Sequence, residues 1–108
     1  MTSGRDQLIV FSKALPGRED EFNTWYSGHL DLICEPEGVL GASRYRISGT
    51  QLPGQQADGD YYLTVYDLDD PEATIPRMLA HQRESTDAVD PGSIRAVVVE
   101  HMVTYVKP

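Results

Sequence analysis

The stretch PGREDEFNTWYSGHLDLICEPEG, residues 16–38, decides how this chain is read. It opens on a Pro-Gly turn and then sets Glu19, Asp20 and Glu21 where the positive end of a helix dipole lies. From there Phe22, Trp25, Tyr26, His29, Leu30 and Ile33 recur at the i, i+3, i+4, i+7, i+8 and i+11 spacing of one helical face. Pro36 and Gly38 end that helix. The pattern puts His29 inside an apolar and aromatic stripe, one turn from Trp25 and Tyr26.

Working outward, residues 7–14 (QLIVFSKA) read as a strand running into the Pro16-Gly17 turn, and residues 39–47 (VLGASRYRI) alternate as a second strand. The Gly-rich polar run 49–60 (GTQLPGQQADGD) reads as a mobile loop able to act as a lid. Residues 61–67 (YYLTVYD) form a third strand, with Tyr62, Thr64 and Tyr66 on one face and Tyr61, Leu63 and Val65 on the other. Asp70 is a helix N-cap and Pro71 a first helical residue, with Ile75, Met78 and Leu79 as the apolar stripe that follows. After a turn at Asp90-Pro91-Gly92, residues 94–106 (IRAVVVEHMVTYV) read as one long final strand. The order strand, helix, strand, strand, helix, strand gives an α+β domain spanning 1–108, a four-stranded antiparallel sheet with two helices on one face. A second copy of the sheet is the economical cover for the other face, so a homodimer is expected.

With 108 residues there is room for one domain and a core but not for two domains. A net charge of −8 repels a phosphate backbone, and with no basic stripe to offset it, nucleic acid is not expected as a partner. No apolar run reaches the ~20 residues of a membrane span, so no membrane partner is expected either. The single cysteine, Cys34, cannot form an internal disulfide, and MTSGRDQ lacks the apolar core of a signal peptide, which together suggest a cytoplasmic setting.

The run PGREDEFNTWYSGHL, followed by Gly38-Val39 and then SRYRI, resembles the dimeric α/β-barrel superfamily, ferredoxin-like in its βαββαβ order, and within it the EthD-like branch. YYLTVYDLDDPEA is similar to that family's third strand and second helix start. Two positions depart from the family pattern: Asp31-Leu32 stands where Pro-Asp follows the His-Leu pair, and the turn reads Glu35-Pro36-Glu37-Gly38. The resemblance implies a cofactor-free or small-cofactor cavity between helices and sheet, in a superfamily whose chemistries range from cyclases and isomerases to cofactor-free quinol monooxygenases and haem enzymes.

On spacing alone, His29 is most simply a core histidine bonding a backbone carbonyl; with the resemblance added, it becomes the expected general acid/base. Tyr26 is then the hydroxyl that polarises a substrate oxygen, and Trp25 packs beside it. Tyr62, Tyr66 and Tyr105 offer further strand hydroxyls. His101 and Tyr105 share a parity with Val97, Val99 and Val103, facing either the cavity or the dimer interface. His81 reads as a solvated helix flank, and Arg44 with Arg46 as a solvated pair or a carboxylate clamp. Cys34 reads as a small buried hydrophobe. The histidines lie 52 and 20 residues apart without short ligand spacing, and no phosphate loop or nucleophile elbow is present, so neither metal nor cofactor is expected. The expected function is a cofactor-independent lyase or isomerase-type reaction on a small aromatic or phenolic compound. The rivals are a cofactor-free phenol monooxygenase and a non-catalytic dimer binding an apolar ligand.

Overall fold

In a computed structural model, which describes residues 5–81 and 86–108, the alternating and helical segments resolve into seven elements. They are β1 (Asp6–Ala14), α1 (Glu19–Gly28), α2 (Leu30–Ile33), β2 (Val39–Arg46), β3 (Tyr61–Leu68), α3 (Pro71–His81) and β4 (Val89–Val99). The strands form one antiparallel sheet in the order β2-β3-β1-β4, the ferredoxin-like arrangement. Leu8 pairs with Tyr66 and Val98, and Val10 with Thr64 and Ala96, so these side chains share one face. All three helices lie over that face. Its centre is a short list of buried side chains, Phe22 of α1, Thr64, Tyr66 and Leu68 of β3, Thr74 of α3 and Ala88 before β4.

The first helix does not run unbroken to Pro36. It stops at Gly28, and His29, at φ −116°, joins α1 to the single turn α2. The His29 amide bonds the Tyr26 carbonyl at 3.2 Å, a tightened last turn, before the Ile33 amide picks up the His29 carbonyl at 3.0 Å. Gly38 then turns the chain at φ +98°, where a side chain would be strained and a Cβ would collide with the buried Thr74 hydroxyl. Thr74 is thus the innermost residue of α3, whereas Leu79 of the expected stripe is 71% exposed. The start of α3 is as expected: the Ala73 amide bonds Asp70 Oδ1 at 3.3 Å.

The final strand differs at both ends from the expected 94–106. It starts at Val89 and carries the Asp90-Pro91-Gly92 stretch as an irregularity, where the register jumps from Phe11↔Arg95 to Lys13↔Asp90. Buried Ser93 holds this bulge, its hydroxyl accepting the Lys13 amide at 2.8 Å and donating to the Asp90 carbonyl at 2.6 Å. At the other end the strand stops at Val99, because β1 begins at Asp6 and offers no partner further on. Asp6 Oδ1 instead accepts the His101 amide at 2.9 Å, and residues 101–108 form no strand. Residues 49–60 are exposed throughout, tied to the sheet by a 2.5 Å Lys13–Asp58 ion pair. None of the helix among the described residues is long and apolar enough to cross a membrane.

Candidate functional site

Between the helices and the β1–β4 side of the sheet lies a cavity of about 590 Å³, within the usual range for small-molecule sites. Leu8 and Val10 form its floor and Ile94 and Ala96 one wall. Its polar groups are few: Ser12, Tyr26, His29, Tyr66, His81 and Thr86.

His29, the joint between α1 and α2, lines this cavity on the same side as Phe22, Trp25 and Tyr26. Its Nδ1 lies 2.6 Å from the Trp25 carbonyl, an atom that only accepts, so Nδ1 carries the hydrogen. In the neutral ring Nε2 is then the basic nitrogen. The imidazole also stacks on the Trp25 indole, centroids 4.4 Å apart and planes 15° apart. A hydrogen bond and a stack together orient the ring, the kind of support a proton-transfer group needs.

Tyr26, one turn back on α1, shares a 2.8 Å hydrogen bond with the hydroxyl of Tyr66 on β3. Burial holds the Tyr66 phenol protonated far above its ordinary range, with Tyr26 adding to the effect. Since one hydroxyl donates to the other, the accepting oxygen keeps a proton to offer elsewhere. Behind this pair Arg44 is not solvated as its position on β2 suggested. Its guanidinium lies 4.4 Å from the Tyr26 ring centroid, 5.5 Å from Phe22 and 5.8 Å from Tyr62, an aromatic cradle. Burial lowers its pKa, its Nη1 reaches Ser27 Oγ at 3.3 Å, and its buried Nε has no partner among the described residues.

Four expected residues, Trp25, Tyr26, His29 and Tyr66, therefore meet at one cavity. Tyr62 is on the same sheet face as Tyr66 and packs 5.9 Å from Phe22, but it lines a separate, more polar cavity with Arg46, Ile47, Ser48, Gly49 and Gly59. His101 and Tyr105 are not at the cavity of this chain. They lie beyond the end of β4, Tyr105 80% exposed, and His101 Nε2 bonds Thr104 Oγ1 at 2.7 Å. The loop 49–60 contributes no residue to the cavity wall, so it is no lid over it within one chain. Asp31 is exposed, and its Oδ1 accepts the Leu32 amide at 2.9 Å. Cys34 is half-buried, and burial, with Asp31 nearby, pushes its thiol pKa up.

The residue that sequence reasoning missed is His81. It ends α3, lines the cavity, and directs Nε2–H to the Leu32 carbonyl at 3.2 Å with Glu35 Oε2 3.4 Å away. Its signal was its place three residues after Met78, on the stripe rather than beside it. Among the described residues no three His, Cys, Asp or Glu side chains gather as ligands for a metal ion. No protein-family model and no curated protein matches the chain.

Proposed function

We propose that this chain is a cofactor-independent enzyme of the lyase or isomerase type, acting by proton transfer on a small aromatic or phenolic compound. The observation that carries the reading is the double anchoring of His29, with Nδ1–H on the Trp25 carbonyl and the ring stacked on Trp25, at the wall of a mostly apolar cavity. His29 Nε2 removes a proton from the substrate and returns it to the departing or rearranged group. The Tyr26–Tyr66 pair offers its remaining hydroxyl hydrogen to the oxygen where charge develops. A positioned histidine of this kind contributes about 10² to 10⁴ in rate, which suits an activated substrate. The same reading assigns the chain to the EthD-like branch of the dimeric α/β barrels and to a reducing, cytoplasmic setting, consistent with its lone Cys34. It also makes the protein a homodimer, because Ile9, Phe11, Leu63, Val65 and Val97 project from the sheet face opposite the helices.

A nitrobenzisoxazole tests the chemistry without knowledge of the natural substrate. A base removes its ring C–H proton, that electron pair becomes the third bond of a nitrile, the N–O bond breaks, and a yellow cyano-nitrophenolate leaves. The protein should outpace an equal concentration of free imidazole, and His29→Gln should lose about 10² of that rate with the melting temperature unchanged. Unaltered rate in His29→Gln would refute the assignment. Binding of the compound without turnover would favour the ligand-binding dimer instead.

A further inference from the structure

The segment after β4 carries an apolar load that no described residue of its own chain covers. Met102 is 91% exposed, Val103 83%, Tyr105 80% and Val106 66%. MVTYV, residues 102–106, has the β-branched and aromatic composition of a strand, yet no backbone hydrogen bond joins it to the rest of the described residues. A strand-forming sequence without a strand lacks a partner edge.

An open edge of matching character exists in the same fold. β4 is the outermost strand on its side of the sheet, and Ile94, Val97 and Val98 are each between 44% and 46% exposed. Between Ile94 and Val99 it carries no proline and a single charged side chain, Arg95, among the devices that usually guard an edge. The opposite edge, β2, bears Arg44 and Arg46. In a chain of net charge −8, the arm 102–106 and the β4 stretch 94–99 both lack acidic residues, so they meet without repulsion.

We propose that residues 102–106 become a strand only between two copies of this chain, each arm adding to the β4 edge of the other. The proposal rests on the homodimer put forward above and names what completes it. Four strands about 4.8 Å apart and eight residues of about 3.3 Å give the open sheet face roughly 500 Å². A stable dimer needs about 800 Å² per partner, and reciprocal arms supply the difference. The five residues of the arm reach about 17 Å, enough to pair with most of the six-residue stretch 94–99 of β4 in a neighbouring copy. Such an arm lies along the strand whose Ile94 and Ala96 form a cavity wall. It brings His101 and Tyr105 of the second copy towards the site that neither reaches in its own chain.

The test combines sedimentation equilibrium with amide hydrogen exchange on the full chain. Twice the 12.0 kDa chain mass, with amides 102–106 protected at dimeric concentrations and exposed on dilution, is the expected result. A dimer whose 102–106 amides exchange at the unstructured rate overturns the arm and spares the dimer. A monomer at every concentration overturns both, while the His29 chemistry is judged separately by its own variant. The double variant Val103→Asp with Tyr105→Asp, at positions exposed in the single chain, should weaken the dimer at least about tenfold. A dimer as tight as that of the unaltered chain overturns the proposal.

Discussion

The two faces of the sheet are built from alternate residues of the same strands, and they carry different kinds of chemistry. On β3, Thr64, Tyr66 and Leu68 turn towards the helices and are buried, while Tyr61, Leu63 and Val65 turn outward and stay half-exposed. The helix side collects hydroxyls and two histidines around a cavity, with an arginine stacked behind them on Tyr26. Outward there are mainly aliphatic and aromatic side chains, with Gln7 paired to Asp67 at 2.8 Å and Lys13 to Asp58. Polar groups in low dielectric need partners and act strongly on what enters; apolar groups in water need cover. One strand, by alternating, separates a reacting face from an associating one.

The sharpest way to break the helix face is at Gly38. Gly38→Ala forces a side chain into a positive-φ backbone against the buried Thr74 hydroxyl and should cost about 2–4 kcal/mol in urea unfolding. Adding Thr74→Ala should return part of that loss, and no return at all would show that backbone strain alone is responsible.

Smaller, and dependent on pH, is Tyr66→Phe. At neutral pH it removes one partner of the Tyr26–Tyr66 bond and should cost about 1–2 kcal/mol. The native Tyr66 phenol keeps its proton while the unfolded one ionises near pH 10. Stability from this group is therefore complete below about pH 10 and falls as pH rises beyond it. Melting temperatures between about pH 9 and 11 should drop more steeply for the unaltered chain than for Tyr66→Phe. Parallel curves would contradict the burial of Tyr66.

On the open face, Val97→Ser should change the stability of the single chain by under about 1 kcal/mol, since Val97 is half-exposed there. Its dimer should weaken about tenfold, and a dimer unaffected by it would mean that this face is not the interface. Least of all, Asp58→Asn, which breaks the solvent-facing pair with Lys13, should leave the melting temperature unchanged within error.

The strands and the start of α3 were legible because each rests on local chemistry: the alternation of Tyr62, Thr64 and Tyr66, and the Asp70-Pro71 cap. His29 was legible as a stripe residue, but the break after Gly28 was not, since helical spacing continues unchanged across it. The end of β4 was misread because 100–106 has strand composition, whereas the partner strand that would pair with it starts only at Asp6. Arg44 eluded the sequence for a related reason: its cradle comes from Phe22, Tyr26 and Tyr62, on α1 and β3, neighbours that no spacing along β2 announces. Pairings across the chain are global facts, and local patterns carry them only where both sides are written plainly.

Trp25 is the one tryptophan of the chain, and it lies face to face with His29. Excited indole loses its energy readily to an adjacent imidazolium and far less to a neutral imidazole. The ultraviolet emission of the molecule is therefore an optical gauge of a single proton, dimming when His29 gains one and brightening when it gives one up. A photon lifetime recorded during mixing with candidate compounds would register events at this ring before any product is known.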